Sequence, residues 1–447
     1  MKNIKKCFVL LLTAVILFGT SGFVFAEDFD YRSFENIGIY VVEANTGRVL
    51  IDKNSDERYA PASITKILSV LTALDYMRPT DRVDVTEEIL AMVQSNSSLA
   101  ELKDGERLTF SQVIDAMLIP SGNDASYALA AACGRFILKD DQAGTKEAVE
   151  AFIDAMNVKA KSLGMTNSVF LNPDGYPADG MYSTAKDMTL LGIAARSRKE
   201  ITEAAAKTSV SCETNKTTHK WYSSNMLLHK TNKSFGSQQG GNNPLYDSRN
   251  KGLKTGNAGD SKGRSLLFLS DEDGMEIVGA VMHVLPSSKE TIWSASDKAS
   301  DYAFGGFSVV SLIDGSNREA VFTVSNRGMF EFKTLTLCAK DQAVSCIEKE
   351  YLGNITLAVI PNEEYASMNM KGKLSLKKSI SVGDEAATGV FYHNGEIVAE
   401  VVFVATSNYR KIGIIDFAVY TVLVLCAAAL LMRQYLKSKS RYRRRKK

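Results

Sequence analysis

The sequence has little of what metal or redox chemistry needs. Four histidines and six cysteines occur in 447 residues. Neither an H-E-x-x-H nor a C-x-x-C arrangement is among them, so no metal site is expected. Cys7 and Cys426 lie in apolar runs. That leaves Cys133, Cys212, Cys338 and Cys346, which are too few for a disulfide scaffold in so large a chain. Cys338 and Cys346 are close enough in sequence to pair. No internal repeat is visible, and a composition of 45% hydrophobic and 23% charged residues excludes global disorder. Nor is there a large overall charge. The formal net value is +2, but it is unevenly distributed.

The two ends carry the imbalance. "MKNIKKCFVLLLTAVILFGTSGFVFA" has basic Lys2, Lys5 and Lys6, an apolar stretch from Cys7 to Leu17, and small residues ending at Ala26. This is the pattern of a secretory signal peptide over residues 1–26, cleaved after Ala26. At the other end, residues 412–432, "IGIIDFAVYTVLVLCAAALLM", hold a single charge, Asp416. At about 1.5 Å of rise per residue they can cross an apolar layer about 30 Å thick. The tail that follows, 433–447, is basic. Positive flanks stay on the cytoplasmic side, which sets the rest of the chain outside the cell membrane as a single-pass protein. Three basic residues lie in the signal and nine in the tail, with no acid in either. Residues 27–432 therefore hold 41 basic and 51 acidic residues, a net −10. An acidic exported segment is not built for nucleic acid.

Between the ends, residues 36–54 alternate around Asn45-Thr46-Gly47, which predicts a β-hairpin. Ile64, Ile67, Leu68, Leu71 and Leu74 follow the spacing of one buried helix face. "FSQVIDAMLI" and "ASYALAAACGRF" predict helices on either side of "PSGND", and residues 146–164 a helix stopped by Gly164. "STAKDMTLLGIAARS" predicts a helix with a serine cap and Asp187 in its first turn. Residues 231–250 read as an exposed loop, followed by strands at "GRSLLFLS" and "EIVGAVMHV". Strands outside a helical block predict an α/β domain on one antiparallel sheet. From about residue 310, short β-type runs predict a small all-β domain, with a hairpin at Asn394-Gly395.

Three short motifs carry the chemistry. In "APASITKIL", residues 60–68, Ser63 and Lys66 stand at i and i+3, on one side of a helix. A serine hydroxyl attacks only when a base takes its proton. A lysine is such a base when burial or a nearby cation lowers its pKa. A serine in a helix's first turn also has unpaired backbone N–H groups near it, which can hold an oxyanion. S-x-x-K occurs again at Ser183, Ser248 and Ser375, so the spacing is weak alone. The second motif is Ser121-Gly122-Asn123; Ser-x-Asn recurs at Ser223 and Ser248. The third is Lys254-Thr255-Gly256, which occurs once, just before strand-like sequence. Its glycine would let a substrate backbone approach.

In this order the trio is the signature of penicillin-binding proteins and class A β-lactamases. With "TGRVL", "PSGNDASYALA", "MNVKAKSLGMTNSVFLNPDG", "YSTAKDM" and "GLKTG", the chain from about residue 36 to 305 resembles the low-molecular-mass penicillin-binding proteins. These are the serine-type D-alanyl-D-alanine carboxypeptidases of peptidase family S11. The resemblance implies a penicillin-recognising α/β domain, an antiparallel sheet flanked by helices, over 27–307. A β-rich domain over 308–407 and a C-terminal membrane helix over 412–432 follow. It implies catalytic roles for Ser63, Lys66 and Ser121, with Ser121 relaying a proton to the leaving amine. It implies substrate binding by Asn123, Lys254, Thr255, Gly256 and Asn257, and an oxyanion hole at the N–H groups of Ser63 and Asn257. No cofactor is implied. The implied partners are peptidoglycan stem peptides, with β-lactams as covalent inhibitors. One departure stands out: Ala258 occupies the place where the family usually has a second threonine, which helps bind the terminal carboxylate. Asp187, Asp124, His219 and His229 read as structural. Three other readings remain, one of them endopeptidase action on cross-links by the same machinery. A class A β-lactamase would carry an E-x-x-L-N segment after the second motif, and none is found. A catalytically weak, membrane-tethered wall-binding protein would keep the fold.

Overall fold

The structure, a computed structural model, describes residues 36–232, 241–288, 291–327, 332–393 and 395–444. The expected signal segment, residues 233–240 of the loop, Asn394 of the expected hairpin and the last three residues of the tail lie outside these. The described chain divides into two compact units, meeting between Ser308 and Val309.

The first unit begins with the hairpin of β1 (Gly38–Glu43) and β2 (Val49–Lys53). Its turn is fastened by buried Glu43, whose carboxylate accepts from Thr46 N at 2.7 Å and Thr46 Oγ1 at 2.6 Å. Gly47 takes the left-handed φ of +72° there, which costs glycine little. Three later strands join this hairpin: β3 (Asn250–Asn257), β4 (Arg264–Glu272) and β5 (Met275–Val284). The sheet order is β2-β1-β5-β4-β3, antiparallel throughout, with β3 at one edge. The Lys254-Thr255-Gly256 motif is thus inside a strand rather than ahead of one. "NKGLKTGN" shows no apolar alternation because the pairing with β4, not its own side chains, makes it a strand.

Helices α1 (Thr65–Ala73), α2 (Phe110–Leu118), α3 (Asn123–Leu138) and α4 (Thr145–Ser162) pack on one another, and α5 (Ala185–Arg196) packs on both the sheet and α1. The sequence predicts one buried face for α1. Instead all nine of its residues are buried, polar ones included. A helix enclosed on every side is central to the core, and each buried leucine or isoleucine contributes about 1.5–3 kcal/mol. Helices α3 and α4 touch backbone to backbone at Gly134, where a Cβ would stand 1.8 Å from Ala148 O. Helix α4 stops before Gly164, at φ +83°. The cap of α5 is Thr184, not Ser183: Thr184 Oγ1 accepts from Asp187 N at 3.0 Å. Ser183 Oγ lies 2.8 Å from Ser168 Oγ instead. The loop expected to be exposed is partly built in. Asn243, Asp247 and Asn250 are buried, and Asn243 Nδ2 donates to Met226 O and His229 O at 2.8 and 2.9 Å.

The second unit holds a five-stranded antiparallel sheet in the order Glu319–Thr323, Thr334–Ala339, Glu396–Ala405, Glu385–His393, Ile355–Pro361. Leu335, Leu337, Phe391, Phe403 and Tyr409 lie in its core. Strands Val344–Glu348 and Ala366–Met368 were not foreseen. No disulfide joins the cysteines among the described residues, so Cys338 and Cys346 do not pair. The final helix is Ile414–Arg444, of which Ile414–Lys437 is long and apolar enough to cross a membrane. It starts two residues later than expected. Asp416, its acidic residue, is buried, accepting from Arg410 Nη2 at 2.7 Å and from Gly413 N at 2.8 Å.

Candidate active site

Ser63 lies in a short 3-10 turn, Ala62–Ile64, that runs straight into α1. It is not in the α-helix itself. The turn forms because Ala62 adopts a left-handed φ of +51°, a strained conformation for a residue with a Cβ. Pro61 before it has its φ near −69°. Two glycines close around this turn. A Cβ on Gly175 would be 1.8 Å from Ala62 O, and one on Gly256 would be 3.4 Å from Ser63 N. Strand β3 therefore runs directly past the serine.

Lys66 is one turn along, fully buried, and its Nζ lies 2.8 Å from Ser63 Oγ. The same nitrogen donates to Asn123 Oδ1 at 2.7 Å and to Asp174 O at 2.8 Å. The arrangement suits both charge states. As an ammonium, Lys66 donates to all three oxygens. As an amine, it keeps the two fixed bonds and turns its lone pair to the Ser63 hydroxyl. Burial lowers its pKa to about 8, with Asp174 and Asp124 holding it from falling further. That is close to what a general base needs.

The second motif reaches the site at the start of α3. Asn123 is the helix's first residue and the acceptor for Lys66. Ser121 sits just before it, with a left-handed φ of +67°, and its hydroxyl has no hydrogen-bond partner among the described residues. Asp124 binds no catalytic group. Its carboxylate accepts from Ala100 N at 2.8 Å and Leu102 N at 3.0 Å, pinning the 100–102 loop.

Lys254 on β3 is buried, donating to Thr255 O at 3.0 Å, and meets no carboxylate among the described residues. Burial and the charge of Lys66 hold it well below the usual ammonium range. Such a group calls for an anion from outside. Thr255 Oγ1 is 2.7 Å from Ser224 Oγ. Asn257 ends the strand, exposed, with Oδ1 accepting from Gly259 N at 3.0 Å. Ala258 N donates to Gly263 O at 2.9 Å, and its side chain offers no hydroxyl. The structure therefore brings Ser63, Lys66 and Asn123 into direct contact, with Gly256 against Ser63. Ser121 lies two residues before Asn123 in sequence, and Lys254 and Thr255 precede Gly256 on β3.

Four participants were missed from sequence. Asp174 supplies a backbone acceptor to Lys66. Its buried carboxyl has one oxygen without a partner, and burial raises its pKa. Pro173 O, one residue earlier, accepts from Ser69 Oγ at 2.6 Å, so α1 grips this segment twice. Gly175 is the third residue of that segment to matter. Its signal was "NPDG", visible as a string but without an assigned task. Ser224 is the fourth participant, hidden in a second Ser-x-Asn. The histidines are structural. His219 Nε2 is 3.0 Å from buried Glu106 Oε1 and its ring stacks on Trp221, while buried His229 Nε2 lies 2.9 Å from Ser223 O. The carboxylate of Asp187 accepts from Asn167 N at 2.8 Å and Ser168 Oγ at 2.6 Å.

The family model described as D-alanyl-D-alanine carboxypeptidase, peptidase S11, matches residues 33–285. The chain is 28% identical over 422 residues to the D-alanyl-D-alanine carboxypeptidase DacF of Bacillus subtilis (strain 168), covering 92% of this chain and 97% of that one. It is 35% identical over 186 residues to DacC of Escherichia coli (strain K12), 40% of this chain and 44% of that one. Penicillin binding protein 5 from Haemophilus influenzae superposes with a TM-score of 0.61 at 20% identity, over 83% of this chain and 97% of that one. The Streptomyces K15 DD-transpeptidase does so at 0.51 and 24%, over 60% of this chain and 95% of that one. At those identities the two structures speak for the fold.

Proposed function

Because the chain belongs to the S11 family of D-alanyl-D-alanine carboxypeptidases, we propose that it works as a serine hydrolase releasing the terminal D-alanine of peptidoglycan stem peptides, through an acyl-enzyme on Ser63. The observation that carries this reading is the 2.8 Å approach of buried Lys66 Nζ to Ser63 Oγ. Lys66 takes the hydroxyl proton as Ser63 Oγ attacks the carbonyl of the penultimate residue. The N–H groups of Ser63 and Asn257 receive the developing oxyanion. Ser121 passes a proton to the departing D-alanine nitrogen. Water then cleaves the ester, with Lys66 again the base. Asn123 holds the substrate amide. Lys254 and Thr255 take the terminal carboxylate, which supplies the counter-charge that buried Lys254 lacks. A β-lactam presents a similar carbonyl and carboxylate and acylates the same serine. The apolar Ile414–Lys437 helix anchors the protein in the cell membrane, with the basic tail inside and the catalytic unit outside.

The pH dependence of D-alanine release by the full chain in detergent tests this reading. Below about pH 8 Lys66 is an ammonium and cannot accept the serine proton. The rate kcat/KM is expected to rise about tenfold per pH unit up to that point and then level. A profile flat from pH 5 to 10 would exclude Lys66 as the base.

A further inference from the structure

We propose that Ser224 is a further substrate-binding residue, whose hydroxyl joins Thr255 Oγ1 and Lys254 Nζ in a row of donors that seats the terminal carboxylate of the peptide. The assignment rests on the carboxypeptidase reading above and extends it to a residue outside the three motifs.

The geometry is local and well braced. Ser224 Oγ is 2.7 Å from Thr255 Oγ1, and Thr255 Oγ1 is 3.4 Å from Lys254 Nζ. Ser224 N donates to Ile119 O at 3.1 Å, two residues before Ser121. Ser224 therefore joins the segment that leads to Ser121 to the edge strand that passes Ser63. Its neighbours are locked in place. Ser223 N donates to Thr208 O at 2.8 Å, and Ser223 O lies 2.9 Å from His229 Nε2. Asn225 Nδ2 donates to Asn250 Oδ1 at 3.1 Å, while its Oδ1 caps the turn that follows. Ser223 and Asn225 are buried, but Ser224 is exposed. A rigid backbone here presents one solvent-facing hydroxyl.

An exposed hydroxyl pair contributes little to stability, because water replaces the bond at almost no cost. Its use lies in what it can release. Two hydroxyls bonded to each other direct at most one O–H outward. When a carboxylate arrives, both rotate to donate to its oxygens, beside Lys254 Nζ. Charge-assisted bonds of this kind are the stronger ones. Ala258, just past the end of β3, offers no hydroxyl, so Ser224 supplies the second one beside Thr255.

The test compares two thioesters that share an acyl-D-alanyl group. One has thioglycolate as its leaving group, the other thioglycolate methyl ester. The readout is the ratio of their kcat/KM values for the full chain in detergent. Ser224→Ala is expected to lower the acid-over-ester preference by about tenfold, the loss of one bond to a charged group. Ser224→Thr, which keeps a hydroxyl, is expected to retain it. If Ser224→Ala slows both thioesters equally, or neither, the carboxylate assignment is overturned. If the wild-type chain hydrolyses neither thioester, the carboxypeptidase reading falls, and this assignment with it.

Discussion

Ser63→Ala is expected to slow D-alanine release by at least about 10⁴-fold. The magnitude follows from how little the rest of the site can do alone. The oxyanion donors and the carboxylate seat can hold a substrate, but without Oγ no ester forms. Lys66 would remain in place, because Asn123 Oδ1 and Asp174 O still hold its Nζ. The folded structure should therefore survive, and the thermal midpoint should move by only a few degrees. D-alanine release measured beside a melting curve separates the two effects. A variant that still turns over at more than about a hundredth of the wild-type rate would remove Ser63 from the mechanism.

Gly175→Ala is expected to damage fold and activity together. Its Cβ would enter the space of Ala62 O at 1.8 Å and Thr65 Oγ1 at 2.8 Å, and its φ of +81° disfavours any side chain. The left-handed backbone costs about 1–2 kcal/mol and the overpacking about 1–3 kcal/mol. In a domain of this size the sum lowers the midpoint by about 5–15 °C. The atoms that must move are the backbone of Ala62, next to Ser63, so the remaining folded protein should also acylate slowly. Gly164→Ala is the internal control. Its φ is +83°, but the nearest atom is Leu190 Cδ1 at 3.8 Å. Only the backbone cost applies, and activity should hold. Equal losses in the two variants would mean that the close approach at Ala62 does not govern the site.

Much of this site could be read along the chain, and what could not be read has physical causes. Ser63, Lys66 and Asn123, which the structure brings into contact, were legible because they fall in two motifs of set residue type and short spacing. The hairpin at Asn45–Gly47 and the stop at Gly164 were legible because turn and cap residues act locally. Strand β3 was misplaced because its pairing with β4 is set by a neighbouring strand and leaves no period in its own residues. The full burial of α1 was underestimated because Thr65, Lys66, Ser69 and Thr72 look like a solvent face. Ser69 and Thr72 instead spend their hydroxyls on Pro173 O and Leu68 O, and Lys66 spends its ammonium on the site. Asp174 and Ser224 were invisible for a different reason. One acts through its backbone carbonyl, which any residue type could supply, and the other meets its partner 31 residues away. A hydrogen bond of that separation has no signature in a single sequence.

The measurement that bears most directly on the central claim is the mass of the tryptic peptide Tyr59–Lys66 after the full chain has reacted with a penicillin. An acyl-enzyme on Ser63 adds one intact penicilloyl group to that peptide, and the Ser63→Ala chain shows none. An adduct on any other peptide, or no adduct on a folded chain, would contradict the account.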